Sequence, residues 1–124
     1  MKKGLIGILI ILGLVLSINC FGAGYGALTY SGLKTDDAVI LAAKGGLNAI
    51  NITADGTNAC EVKIYNNASG ASGSVIWYHK VSAGVGDTLG VVLPFMIPFS
   101  TGAYADMITL GTCSYEVYFQ VYSP

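Results

Sequence analysis

The stretch Cys113-Ser114-Tyr115-Glu116-Val117-Tyr118-Phe119-Gln120-Val121-Tyr122 decides the fold class. Cys113, Tyr115, Val117, Phe119 and Val121 fall on one face, and Ser114, Glu116, Tyr118, Gln120 and Tyr122 on the other. A period of two held over so long a run specifies a strand with one buried face and one wet face. Residues 59–65 repeat the pattern, with Cys60, Val62 and Ile64 set against Glu61 and Lys63. This second stretch is the expected neighbour of the 113–122 strand. In both, the cysteine is in phase with the aliphatic residues, so both thiols are expected to point into one core.

Outward from these two strands, short apolar runs recur with turn chemistry between them. Expected strands cover 27–30, 38–43, 47–54, 74–81, 88–95 and 104–110, and Ile50 and Ile52 point inward while Asn51 and Thr53 point outward. Asp55-Gly56-Thr57-Asn58 reads as a loop, because Asp-Gly supplies the positive-φ position of a tight turn. Ser31-Gly32, Lys44-Gly45-Gly46 and the Ser/Gly-rich run 66–73 read as turns, and Pro94 and Pro98 restrict their strand to an edge or a bend. The whole is about eight short strands at roughly ten-residue spacing, which predicts an all-β protein. The expected architecture is one antiparallel β-sandwich over residues 23–124, jelly-roll or Ig-like.

Met1-Lys2-Lys3 followed by the almost wholly apolar run from Leu5 to Ile18 reads as the charged and hydrophobic parts of a signal peptide. Residues 1–22 are therefore a signal peptide cut after Gly22, or an N-terminal anchor if uncut. The apolar run is short against the ~20 residues that cross a bilayer. Membrane contact is expected only through this segment. A lipoprotein is disfavoured by Asn19 before Cys20, and a pilin by Leu9 where that class carries Glu.

Without Lys2 and Lys3, the six basic residues fall to four (Lys34, Lys44, Lys63 and Lys80) against seven acids, a net charge of about −3. No basic patch exists, so nucleic acid is an unsuitable partner. Cleavage after Gly22 would remove Cys20 and leave an even pair of cysteines in an exported chain, the usual setting for a disulfide. A bridge from Cys60 to Cys113 would add about 4 kcal/mol by loop closure. The alternative is two buried thiols acting as small hydrophobes.

His79 is the only histidine and has no carboxylate near it in sequence. Asp36, Asp37, Asp55, Asp87 and Asp106 lack calcium-loop spacing, and the Gly-rich runs 22–26 and 84–86 lack the strand-before, helix-after setting of a phosphate loop. No catalytic, metal or cofactor site is expected. The triplets at Asn51 and Asn67 match the glycosylation signal, which matters only in a eukaryotic secretory host. Eight tyrosines and one tryptophan remain. Outward Tyr118 and Tyr122, with Glu116 and Gln120, form a candidate contact face for protein or glycan, or a surface that a neighbouring strand or subunit covers.

The run from Val62 to Trp77, VKIYNNASGASGSVIW, and the later Pro98-Phe99-Ser100-Thr101-Gly102-Ala103-Tyr104-Ala105 resemble small β-sandwich proteins encoded in the virion gene clusters of tailed phages. The shared motifs are structural: an inward aliphatic pair, a Ser/Gly turn and a Gly-Tyr strand start. The resemblance implies a capsid-decorating, fibre or tail-tip role and a homo-oligomer, with no active site to carry over. The export segment and the cysteine pair depart from that pattern and point to an exported or envelope-associated relative. The functional expectation is a non-enzymatic structural or binding module, virion-like or at the cell surface, periplasmic or extracellular, acting through protein contacts. The alternatives are a secreted carbohydrate- or protein-binding domain and, more remotely, a small secreted hydrolase built on His79.

Overall fold

A computed structural model describes residues 24–84, 88–109 and 112–124. The expected signal or anchor segment, with its cut after Gly22, lies outside the described residues. Eight strands follow in order: β1 (Gly24–Tyr30), β2 (Ala38–Leu41), β3 (Gly45–Thr53), β4 (Cys60–Tyr65), β5 (Val75–Val81), β6 (Thr88–Phe99), β7 (Ala103–Thr109) and β8 (Ser114–Ser123). No helix occurs among the described residues. The strands form two four-stranded antiparallel sheets, one in the order β1-β8-β3-β6 and the other β2-β7-β4-β5.

One hydrophobic core lies between them, because the inward phase of each strand is apolar. Leu47, Ile50, Ile52, Phe99, Tyr115 and Val117 enter it from the first sheet, and Cys60, Val62 and Ile64 from the second. The alternation of β8 holds in space from Tyr115 to Gln120: Tyr115, Val117 and Phe119 are buried, while Glu116, Tyr118 and Gln120 are half-buried on the outer face, but Val121, expected inward, is exposed near the end of the strand. β8 is a central strand, paired with β1 on one side and β3 on the other.

The 59–65 stretch is not its neighbour. β4 pairs with β5 and β7 in the opposite sheet, so Val62 and Val117 reach the core from opposite walls. Alternation specifies which way a strand faces and carries no information about which strand lies beside it. A second correction concerns Lys44-Gly45-Gly46. Gly45 and Gly46 open β3, and their missing side chains serve close approach within the sheet. A Cβ on Gly45 would stand 2.5 Å from the Gln120 carbonyl oxygen and 2.8 Å from the Phe99 ring.

Polar side chains tie the two ends of the sandwich. At one end Asp55 accepts from the backbone N–H of Thr57 and Asn58, both at 2.8 Å, and from that of Thr112 at 3.0 Å. Gly56 between them has φ +80°, the conformation that the Asp-Gly pair announced. At the other end the Asn66 carboxamide oxygen accepts from the N–H of Ser100 and Thr101 at 3.1 and 3.0 Å. Asn67 closes the β4–β5 hairpin by accepting from Ser69 and Gly70.

Candidate binding face

The outer face of the β1-β8-β3-β6 sheet carries the expected contact residues and others that the sequence did not assign to it. Register places Tyr30 beside Tyr118, Tyr25 beside Tyr122 and Asn51 beside Glu116. Alternation along β8 sets Glu116, Tyr118, Gln120 and Tyr122 in one row down the middle of this face. The backbone of the central strand therefore holds them, with strands on both sides.

Two polar relays lie on the face. Tyr118 Oη donates to Glu116 Oε2 at 3.2 Å, and Asn51 Nδ2 donates to the same oxygen at 3.4 Å. Partial burial, with the Glu116 carboxylate second, pushes the Tyr118 phenol up from its ordinary value. In the other relay Gln120 Nε2 donates to the Gly26 carbonyl at 2.8 Å, and Asn48 Nδ2 donates to Gln120 Oε1 at 3.3 Å. The Gly26 carbonyl only accepts, so it fixes the direction of this relay and leaves Asn48 Oδ1 buried without a partner among the described residues. Gly90 stands beside Asn51, where a Cβ would come within 2.9 Å of Asn51 Oδ1, so the glycine makes room for that amide.

Aromatic contacts frame the relays. Tyr30 stacks on Tyr118 with centroids 6.2 Å apart, and Tyr25 meets Tyr122 edge-on at 5.6 Å. Lys44 Nζ lies 4.2 Å above the Tyr122 ring, a cation–π contact. Between the relays and β6 a depression of about 460 Å³ is lined by Leu28, Asn48, Ala49, Asn51, Val92 and Tyr118. Val92 and Leu28 are 82 and 59 % exposed. The arrangement has no nucleophile paired with a base. It can present oriented donors and acceptors beside apolar surface, which is the chemistry of recognition.

The outer face of the second sheet differs in kind. Glu61 lies 3.5 Å from Lys63 and 3.9 Å from Lys80, so two ammonium groups share one carboxylate, and Lys63 also reaches the Tyr78 ring. His79 and Trp77 lie on the other face of β5, opposite the buried Val62 and Ile64, where half-buried His79 stacks on Trp77 at 5.7 Å. No group of three His, Cys, Asp or Glu side chains that could hold a metal occurs among the described residues.

Cys60 and Cys113 are both buried and stand in the structure as two thiols, not as the expected disulfide. Burial, and next the hydrogen bond between the two sulfurs, pushes the Cys60 thiol up to about 12. The pair spans the two sheets at the end where Asp55 holds Thr112. Tyr25, Leu28, Tyr30, Asn48 and Val92 were missed as members of the binding face. An alternating pattern in β1 is too short and too interrupted by glycine to signal its phase, and only pairing with β8 brings it there. No protein-family model, characterised protein or solved structure matches this chain.

Proposed function

We propose that the chain is an exported, non-enzymatic jelly-roll module that works by protein contact through the outer face of the β1-β8-β3-β6 sheet. Its role is structural, of the capsid-decoration, fibre or tail-tip kind that its hairpin and Gly-Tyr motifs resemble. The jelly-roll reading rests on strand order and on the path of the chain, which passes from sheet to sheet at every connection except β4–β5. The observation that carries the contact reading is the row Glu116, Tyr118, Gln120 and Tyr122. It stands on a central strand, with its polar ends oriented by Asn51 and Asn48 and Tyr30 exposed beside it. Rigid aromatic area beside pre-oriented polar groups loses little entropy on binding.

Export is supported by the charged and apolar pattern of residues 1–22. In an oxidising compartment the neighbouring Cys60 and Cys113 thiols would form a bridge, passing two electrons and two protons to the disulfide of a thiol oxidoreductase. Burial suppresses the Cys60 thiolate, so this oxidation belongs to the folding chain before the core closes. The decisive experiment compares wild type with Tyr118→Ala for incorporation into the particles or envelope fraction of the organism that encodes the chain. Loss of incorporation by a folded variant supports the reading. Equal incorporation overturns it.

A second reading, a neutral glycan as the ligand, is favoured by the depression that sets Asn48 and Asn51 beside Val92 and Leu28. Its test is titration with a disaccharide panel while the side-chain amide resonances of Asn48, Asn51 and Gln120 are followed. Unmoved resonances at millimolar sugar exclude it.

A further inference from the structure

We propose that β1 is an assembly edge. Two copies of this chain join through it, and their β1-β8-β3-β6 sheets continue into one sheet across a two-fold axis at Thr29. The inference begins with the backbone. Ser31 N–H donates to the Val117 carbonyl at 2.8 Å, and Thr29 and Tyr30 lie opposite Phe119 and Tyr118. In an antiparallel ladder alternate residues turn their polar groups to the same side. Thr29 and Ser31 therefore face β8, and the N–H and C=O of Leu28 and Tyr30 face away from it. Among the described residues β8 is the one strand that pairs with β1.

The strand is also bare on both faces. Every residue from Tyr25 to Tyr30 is exposed, including the inward-phased Ala27 and Thr29, and Tyr30 is 60 % exposed. An edge of this kind is a template for strand addition unless something guards it. The other three edges are guarded. β6 carries Pro94 and Pro98 and a register break opposite Asn48, β2 is four residues long, and β5 carries Lys80. β1, Gly-Tyr-Gly-Ala-Leu-Thr-Tyr, has no charge and no proline.

A second copy fits this edge better than a foreign strand because the edge complements itself. With the axis at Thr29, Leu28 lies opposite Tyr30 of the partner subunit, and Tyr30 opposite Leu28 of the partner subunit. This is an isologous contact in which uncharged residues meet uncharged residues. The two resulting pairs exchange two backbone hydrogen bonds each. Such a contact is at the small end of specific interfaces, below about 1,200 Å², so the dimer dissolves on dilution. It would set two copies of the binding face side by side on one continuous sheet, which strengthens attachment to a repetitive surface by linking two sites. Leu28 and Tyr30 also belong to the binding face, so the test reads self-association and amide exchange alone, and its failure is distinct from that of the contact reading, which Tyr118→Ala tests.

The test is sedimentation velocity of the protein purified after expression of the full chain, from micromolar to millimolar concentration, with hydrogen exchange read at single amides. A monomer–dimer equilibrium is expected. The Leu28 and Tyr30 amides should slow as the dimer fills, while Ser31 is protected throughout. Leu28→Pro removes an N–H that serves only the partner, and should leave a folded monomer. Tyr30→Lys, which sets a charge against an apolar neighbour on each side of the axis, should weaken the dimer at least tenfold. Val92→Lys on the opposite edge should leave it unchanged. A monomer at all concentrations overturns the proposal. So does an oligomer in which the Leu28 and Tyr30 amides exchange freely, or one that both β1 variants leave intact.

Discussion

Tyr115→Phe removes one oxygen from the core and should reverse its effect with pH. Tyr115 is 1 % exposed, and its hydroxyl donates to the Asp36 carbonyl at 2.8 Å. Its own backbone exchanges two hydrogen bonds with Lys34, so one residue of β8 fastens the 31–37 crossover at three points. Loss of the hydroxyl forfeits a hydrogen bond worth about 1 kcal/mol net, and Asp36 is exposed enough for water to reclaim its carbonyl. At pH 7 the variant should therefore be less stable by about 1 kcal/mol.

Alkali changes the sign. Burial, with the Asp37 charge next, holds the Tyr115 phenol above its ordinary value in the folded state. The stability linked to this raised value is complete below the unfolded pKa, about 10, and is lost as pH rises from there toward the folded value. The slope is about 1.4 kcal/mol per pH unit, and phenylalanine does not share it. Wild type and variant should thus cross near pH 11, about one unit above the unfolded pKa. Urea unfolding at pH 7, 9, 10 and 11, followed by fluorescence of the single Trp77, reads both stabilities. The other tyrosines and Cys60 cancel in the difference. A stability gap that stays constant from pH 7 to 11, or a variant equal to wild type at pH 7, refutes the reasoning.

Four further outcomes follow from local geometry. Gly45→Ala should cost about 1–3 kcal/mol in urea unfolding, because its Cβ meets the Gln120 carbonyl oxygen at 2.5 Å. Gly70→Ala, where nothing lies within 4 Å, should stay within about 0.5 kcal/mol of wild type. In folded, reduced protein at pH 8 Cys60 should resist iodoacetamide and react only in denaturant, as mass spectrometry of the labelled peptide would report, since burial pushes its thiol up to about 12. Backbone donors, the Asn58 N–H foremost, hold the Asp55 carboxyl well below the usual carboxylate range. The stability it contributes is present above about pH 4 and is lost as pH falls toward the folded value. Acid unfolding of Asp55→Asn should accordingly show a shallower decline below pH 4 than wild type, read by circular dichroism.

The phase of each long strand was written locally. Cys60, Val62 and Ile64, Ile50 and Ile52, and Tyr115, Val117 and Phe119 point inward because a period of two admits one apolar face and the apolar face must leave water. Turn chemistry was equally local, as at Asp55-Gly56, where only a positive φ closes the loop. From such signals alone an all-β chain of eight strands with an outward Glu116–Tyr122 row is legible. Neighbours are another matter. That β8 lies between β1 and β3, that β4 stands in the facing sheet, and that Gly45 and Gly46 belong to a strand depend on contacts between residues far apart in the chain. The binding face divides the same way. Its central row came from the alternation of one strand, while Tyr30, Asn48, Asn51 and Val92 joined it through pairing. Strand pairing runs through backbone groups that every residue carries, so no side-chain pattern along one strand can say which strand lies beside it.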